Sequence, residues 1–205
     1  MLFLNSTEHP LAFLHLKIQK LGFPSIHGLM LARFADGSHL ESFDKLFSLL
    51  LNPAPRLEYG VLGPMEFQSE IVKGLFIGGN LSIISNSMGT DLEPDFSNCI
   101  LFLEDIGEAF YRIDRMIHQI KHSKTSRFLS AIVLGQFTDC PLANFPLSLI
   151  EIFTNAFPQI PIFYGLECGH GIPNYPILLG IETTIKKTKN GYLLSQNPER
   201  TSLNF

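Results

Sequence analysis

Short apolar runs alternate with amphipathic helix patterns through the second half of the chain, and this alternation constrains the fold most strongly. The run from Asn98 to Glu104 is apolar between polar ends, as a buried strand would be. Residues 107–121 follow with apolar side chains at spacings of three and four, which predicts a helix. The alternation continues with a strand over 130–135, a helix over 146–157 and a strand over 160–165. This order indicates an α/β fold.

The first half of the chain contains weaker patterns. A helix is predicted over 10–21 and a short strand over 23–30. Another helix is predicted over 42–51, with Ser42 as its N-cap, and Pro53 interrupts it. The remaining predictions are strand-like residues over 57–77, a turn at 78–80, a short helix after it, a strand over 177–187 and a loose tail over the last ten residues.

Composition and charge exclude several classes of protein. Hydrophobic residues make up 45% of the 205 residues and charged residues 17%, which excludes a disordered chain and allows a full core. No apolar run approaches the roughly 20 residues of a membrane span, and the N-terminus lacks the basic region of a signal peptide. The net charge is −4 without a long basic run, so neither a membrane nor nucleic acid is an expected partner.

The cysteines indicate a reducing compartment. Cys99, Cys140 and Cys168 are odd in number, widely spaced and without a Cys-x-x-Cys motif. That pattern favours free thiols over a disulfide framework or a zinc site, so we expect a cytoplasmic protein. Cys168 is a possible nucleophile beside His170, but two residues this close on one turn are poorly placed for activation. A bystander thiol is therefore the favoured interpretation.

Glu104 and His170 are the candidate catalytic residues. Glu104 ends an apolar strand, where a carboxylate is unfavourable unless it faces a cleft or a partner. His170 lies between Gly169 and Gly171 after a strand, and such glycines permit close backbone approach. Together they suit a catalytic set in which the histidine takes a proton and the glutamate orients it. The alternatives are a glutamate that caps the next helix with Asp105 and a histidine on a surface loop.

A glycine-rich segment and a histidine pair are weaker candidates. Gly78, Gly79 and Asn80 precede a helix, and backbone N–H groups at such a turn can bind an anion or a carbonyl oxygen of a substrate. The segment matches neither a phosphate-binding loop nor a Gly-x-Gly-x-x-Gly motif, so an ordinary tight turn is the alternative. His118 and His122 have a metal-compatible spacing, but no carboxylate lies between them. We predict an exposed helix end there, and no metal site.

Several motifs in order resemble the LD-carboxypeptidases, serine peptidases that include the microcin-immunity hydrolases. The segments that carry the resemblance are SIHGLM (25–30), the long stretch 78–120 that begins with Gly-Gly-Asn, VLGQF (133–137) and IPIFYGLECGHGIPN (160–174). Each motif is weak alone, but their order and spacing are specific. The resemblance covers roughly residues 25–185.

The resemblance implies a serine peptidase that uses Ser, Glu and His and requires neither metal nor cofactor. Its Glu matches Glu104 and its His matches His170. The family removes a C-terminal D-amino acid from an L,D-peptide, as in recycling of peptidoglycan muropeptides. The resemblance also implies a remnant of a truncated Rossmann-like N-terminal domain over 1–35, a linker and helix over 36–55, and a C-terminal domain of mixed strands and helices over 56–205. Members are often dimeric and cytoplasmic.

The chain departs from the family at the nucleophile. The family's serine lies in a Gly-x-Ser-Asp segment before the His-Gly motif, and no Ser-Asp dipeptide occurs in this chain. Ser6 is the nearest candidate, although its neighbours do not match. Three hypotheses follow: a fragment of a peptidase, an inactive peptide-binding or partner module, and a chain to which another chain supplies the Ser half. A homodimer is a separate expectation. Cys168 replaces an aromatic residue of the family, and Glu167 would raise the pKa of His170 if the two were close.

Overall fold

Helices and strands alternate along most of the chain. The computed structural model describes residues 2–5, 9–30, 33–34, 37, 39–52, 56–64 and 69–198. The helices are α1 (His9–Lys20), α2 (Leu40–Leu51), α3 (Leu81–Ser87), α4 (Phe110–Lys121) and α5 (Leu149–Ala156). The strands are β1 (Leu2–Asn5), β2 (Ser25–Gly28), β3 (Leu57–Val61), β4 (Ile71–Asn80), β5 (Cys99–Ile106), β6 (Ala131–Thr138), β7 (Ile162–Phe163), β8 (Ile177–Leu179), β9 (Ile181–Thr188) and β10 (Gly191–Gln196).

The strands form two sheets. The larger has seven strands in the order β3-β10-β9-β4-β5-β6-β7. Its β4, β5, β6 and β7 are parallel, and β9, β10 and β3 continue it as antiparallel strands. The smaller sheet has the order β1-β2-β8. This mixed architecture confirms the predicted α/β fold class, whereas a Rossmann-like origin of the first residues stays a prediction.

Strand β5 runs through the middle of the core and separates two apolar layers. Successive side chains of a strand point to opposite faces of its sheet. Leu101 and Leu103 therefore pack in the layer that contains α3, α4 and α5, and both are fully buried. Ile100 and Phe102 pack on the opposite face with residues of β8, β9 and β10. Glu104 continues the second series and Asp105 the first, so the two neighbouring carboxylates enter different layers.

The turn predicted at residues 78–80 is wrong, because these residues are the end of β4. Gly78 and Gly79 have φ angles of +128° and +135°, which only glycine adopts easily. A Cβ added to Gly78 would lie 1.9 Å from the carbonyl oxygen of Phe102. The glycine pair thus allows β4 to pack closely on β5, and it brings Asn80 into register with Glu104.

The N-cap predicted at Ser42 is also wrong. Helix α2 begins at Leu40, and His39 precedes it without a side-chain cap. Ser42 lies inside the helix and is buried, and its Oγ accepts a hydrogen bond from the backbone N–H of Asn174 at 3.0 Å. The serine therefore joins α2 to the loop that carries His170.

The strand predicted over 177–187 is two strands in two sheets. Gly180 separates them with a φ of +79°. Strand β8 pairs with β2 in the smaller sheet, and β9 pairs with β4 in the larger one. The pairing of β2 with β8 joins an early segment of the chain to a late one. The domain boundaries at 35 and 55 stay predictions, because strand pairing shows which segments touch and not which fold together.

None of the helices in the described ranges combines the length and the apolar character that a membrane crossing requires.

Candidate active site

Glu104 and His170 contact each other at the carboxyl ends of β5 and β6. Glu104 Oε2 lies 2.5 Å from His170 Nδ1, although 66 positions separate the two residues in the chain. The glutamate side chain is fully buried, and the histidine side chain is 10% exposed. Ligands of open α/β sheets bind at this edge of the strands. The two sequence-predicted residues therefore form one buried pair at the edge where a substrate would be expected.

The glycines beside His170 make this contact sterically possible. A Cβ added to Gly169 would lie 3.1 Å from both Cβ and Oε2 of Glu104, and Gly169 has a φ of +137°. A Cβ added to Gly171 would lie 2.7 Å from Cδ of Gln136. A side chain at Gly169 would press against Glu104 in a strained backbone conformation, and one at Gly171 would displace the amide of Gln136. The Gly-His-Gly sequence thus allows close packing on both sides of the histidine.

Burial and mutual charge set the electrostatics of the pair. Burial raises the pKa of Glu104 above its ordinary value, and the hydrogen bond and charge of His170 oppose that rise only in part. Burial alone would lower the pKa of His170, but the hydrogen bond and charge of Glu104 outweigh burial and raise it. Asp105 adds to the rise and Arg33 opposes it. Glu167 is exposed and is not among the charges that shift this pKa.

This geometry defines what each atom of the pair can do. The Nδ1–H group of the neutral imidazole donates to the Glu104 carboxylate, which fixes the tautomer. The Nε2 atom is then the ring nitrogen that can accept a proton. Once His170 is protonated, the adjacent carboxylate stabilises the imidazolium. The pair has the arrangement of a general base with its orienting group.

Asn80 lies beside this pair but has structural partners. Its Oδ1 accepts from the backbone N–H of Ile83 at 3.3 Å, and its Nδ2 donates to Asp105 at 2.8 Å. Asp105 also accepts from the backbone N–H and the hydroxyl of Ser82. The carboxylate next to Glu104 therefore holds the start of α3, the helix before β5, and not the helix after it. Substrate binding by Gly78, Gly79 and Asn80 stays a prediction.

Other candidate residues lie apart from this chemistry. Burial, and then the charge of Glu104, raise the pKa of Cys168 well above its ordinary value, so this buried thiol is protonated and not a reactive thiolate. His118 lies 3.8 Å from Asp114 on the exposed side of α4. Within the described residues, no group of three or more His, Cys, Asp or Glu side chains could hold a metal ion. Ser6 lies outside the described residues.

His27 is a buried residue near the site, and its sequence context predicted no role for it. It is fully buried in β2, and neither of its ring nitrogens has a hydrogen-bond partner among the described residues. Its ring packs edge-on against Phe102, with centroids 5.2 Å apart. Burial lowers its pKa well below the ordinary value, and the charges of His15 and His170 lower it further. The signal for this residue in the sequence was its place in the SIHGLM segment, which carries part of the family resemblance.

The depressed pKa of His27 predicts a loss of stability in acid. Above pH 6.5 His27 is neutral in both the folded and the unfolded chain and adds no pH dependence. As the pH falls below 6.5, the unfolded chain takes up a proton that folded His27 does not. The contribution of His27 to the free energy of unfolding then falls by about 1.4 kcal/mol per pH unit until its folded pKa is reached. Urea titrations between pH 7.5 and pH 4.5 measure this slope.

Phenylalanine at position 27 provides the test of that slope. We expect His27→Phe to be as stable as the parent above pH 7, because the unpartnered nitrogens are removed. Below pH 6.5 its free energy of unfolding should fall less steeply than that of the parent. His118→Gln, which changes an exposed histidine, is the control. Equal slopes in the parent and His27→Phe would contradict the prediction.

Comparison with known proteins finds relatives over this region. The sequence profile of the LD-carboxypeptidase C-terminal domain matches residues 73–185. The chain is 35% identical over 165 residues to the murein tetrapeptide carboxypeptidase of Pseudomonas aeruginosa, across 75% of this chain and 53% of that protein. It is 31% identical over 117 residues to the microcin C7 self-immunity protein MccF of Escherichia coli, across 56% of this chain and 34% of that protein.

A solved structure shares the fold. The crystal structure of muramoyltetrapeptide carboxypeptidase from Oxalobacter formigenes matches with a TM-score of 0.81 at 24% identity, over 95% of this chain and 68% of that chain. The chain spans about half the length of the curated relatives it matches. The family profile covers more than half of the chain and includes both Glu104 and His170. The resemblance in the sequence is thereby confirmed: the chain belongs to the LD-carboxypeptidase family, whose C-terminal domain it contains.

Proposed function

We propose that this chain provides the Glu–His part of an LD-carboxypeptidase-like serine peptidase, which removes a C-terminal D-amino acid from an L,D-peptide such as a muropeptide. The observation that carries the proposal is the 2.5 Å contact between His170 Nδ1 and the fully buried Glu104 carboxylate. A buried carboxylate of raised pKa is unfavourable for folding, so its retention beside a histidine favours a catalytic role.

In the proposed reaction, His170 moves one proton in each half of the cycle. Its Nε2 accepts the proton of a serine hydroxyl while the serine oxygen attacks the carbonyl that precedes the D-residue. The imidazolium then gives that proton to the leaving amine, which releases the D-amino acid and leaves an acyl-enzyme. Water then attacks the ester carbonyl while Nε2 accepts its proton, and the imidazolium returns that proton to the serine oxygen. This step frees the shortened peptide. Glu104 stays ionised and holds Nδ1–H throughout.

The serine belongs to a segment that the described residues do not include. Either a different chain or a longer form of this protein supplies it. A homodimer is a separate expectation from the family and would not add the missing segment. We place the reaction in the cytoplasm because the cysteine pattern indicates a reducing compartment. The murein tetrapeptide in the relative's name supports peptides from peptidoglycan recycling as substrates. Neither a metal nor a cofactor enters the proposed reaction.

Reconstitution with a serine-bearing half tests the proposal. The purified chain is incubated with an L,D-tetrapeptide that ends in D-alanine, alone and with the N-terminal half of the Pseudomonas aeruginosa relative. We expect release of D-alanine only from the mixture, and we expect His170→Ala to abolish it. Release by the chain alone that disappears in Ser6→Ala would instead identify Ser6 as the nucleophile.

An inactive peptide-binding or partner module is the second candidate function, favoured by the absence of a Ser-Asp dipeptide from all 205 residues. Tetrapeptide binding by the chain, measured by calorimetry, without turnover in any mixture would support this alternative. Turnover that survives His170→Ala would contradict the proposed role of the histidine.

A further inference from the structure

We infer that Gln136 is a positioning residue for His170, because its side-chain amide hydrogen-bonds the loop that carries His170 to β6, the strand that pairs with β5 beside Glu104. Its Oε1 accepts a hydrogen bond from the backbone N–H of Gly171 at 2.9 Å. Its Nε2 donates to the carbonyl oxygen of Pro173 at 2.7 Å. The inference deepens the proposed function and rests on it, since it concerns the geometry of the proposed general base.

A bulge in β6 places the Gln136 amide next to the loop that carries His170. Leu103 is in register with Leu134 and Asp105 with Phe137, so two residues of β6, Gly135 and Gln136, lie opposite Glu104 alone. Such bulges redirect side chains and often occur beside functional sites. The bulge therefore places the amide of Gln136 and the carboxylate of Glu104 at corresponding positions of neighbouring strands.

The backbone around the bulge is packed against the segment that leads to His170. A Cβ added to Gly135 would lie 2.3 Å from the carbonyl oxygen of Cys168. The backbone N–H of Gln136 donates to that same oxygen at 2.9 Å. Strand β6 thus holds the chain before His170 through its backbone, and it holds the chain after His170 through the side chain of Gln136.

The chemistry of the two partners fixes the orientation of the Gln136 amide. The Gly171 N–H can only donate and the Pro173 carbonyl can only accept, so the oxygen and nitrogen of the amide cannot exchange places. Two other side chains bond this loop: Asn174 Oδ1 accepts from the backbone N–H of Gly169 at 3.0 Å, and Ser42 Oγ accepts from the backbone N–H of Asn174 at 3.0 Å. Asn174 belongs to the loop itself and Ser42 to α2, whereas Gln136 belongs to the strand that pairs with β5 beside Glu104. Gln136 is therefore the side chain that sets the position of the loop relative to Glu104.

Removal of the amide has a specific consequence for the imidazole. The pKa of His170 is raised by Glu104 through a contact of 2.5 Å. If the loop loses its bonds to β6, that contact lengthens, and both the hydrogen bond and the charge effect weaken. The histidine pKa should then fall, and the Nδ1–H proton should lose the far-downfield chemical shift typical of a short hydrogen bond.

Proton and ¹⁵N NMR of the histidine side chains in the full chain test this inference without any need for turnover. Gln136→Met keeps the approximate size of the side chain and removes both polar groups. We expect loss of the downfield Nδ1–H resonance of His170 and a lower titration midpoint for its ring. Gln119→Met, at an exposed position on α4, is the matched control and should leave both signals as in the parent.

Parent-like signals in folded Gln136→Met would overturn the inference. If that variant does not fold, Gln136→Asn replaces it, because it keeps the amide and shortens its reach by one methylene. The same two losses are expected, and parent-like signals again overturn the inference. Failure of the D-alanine assay together with these NMR losses would reject the proposed function and keep the positioning role. D-alanine release by the reconstituted mixture, combined with parent-like NMR signals in the Gln136 variant, would keep the proposed function and reject the positioning role.

Discussion

Glu104→Gln is expected to lower D-alanine release in the reconstituted assay by about 10⁴-fold, the loss known when the orienting carboxylate of a serine-hydrolase triad becomes an amide. The amide has about the size of the carboxylate, so the packing is kept. An N–H group facing His170 Nδ1 favours the tautomer that carries its proton on Nε2. Such a histidine cannot accept the proton of the nucleophile. The loss should therefore appear in kcat.

The same substitution should not destabilise the fold at neutral pH. Burial raises the pKa of Glu104, so the folded chain binds this proton more tightly than the unfolded chain does. As the pH rises through the folded pKa, the ionised carboxylate therefore reduces stability. A neutral amide has no such penalty, and the free energy of unfolding of Glu104→Gln at pH 7 should equal or exceed that of the parent.

Activity and urea unfolding measured on the same samples separate these two effects. Glu182→Gln is the control, because Glu182 is an exposed carboxylate on β9, and neither measurement should change. Full activity in Glu104→Gln would reject the orienting role. A large loss of stability with an equal loss of activity would indicate that Glu104 is structural.

Gly78→Ala is expected to prevent stable folding. The new Cβ would be 1.9 Å from the carbonyl oxygen of Phe102, a backbone atom in the adjacent strand that cannot move aside. The backbone also has a φ of +128°, which is strained for alanine. We expect the free energy of unfolding to fall by about 4 kcal/mol or more, a large part of the total for a chain of this size. Circular dichroism and urea unfolding measure the loss.

Gly60→Ala provides the matched control for Gly78→Ala. Gly60 is exposed in β3, and no atom lies within 4 Å of a Cβ added there. Alanine should leave stability unchanged or raise it slightly, because it reduces the conformational entropy of the unfolded chain. A folded Gly78→Ala of parental stability would show that β4 and β5 can separate at this point.

The sequence was sufficient to predict the two residues of the pair but not their contact. Glu104 stands out because it ends an apolar strand, and His170 because glycines flank it. Their separation by 66 positions hides the contact. The distance depends on the bulge at Gly135 and Gln136, and a bulge arises from pairing between strands, which local periodicity does not record.

Local patterns also failed where tertiary contacts override them. Glycine pairs usually mark turns, but Gly78 and Gly79 form a strand because β5 packs against their backbone. Strand β10 was not predicted, since the inward position at its end is Gln196. That amide is buried and bonds to the backbone of Leu178. A polar residue at an inward position disguises the alternation that would reveal a strand.

The pairing of β2 with β8 has a consequence during synthesis of the protein. Strand β2 is completely buried in the folded chain, yet its antiparallel partner emerges from the ribosome only about 150 residues later. At ordinary elongation rates this delay is on the order of ten seconds. During that interval a strand with an unpaired edge is open to contacts with other chains, which makes it a starting point for aggregation. A chaperone that shields the first thirty residues of the nascent chain would therefore have its largest effect on yield before β8 is made.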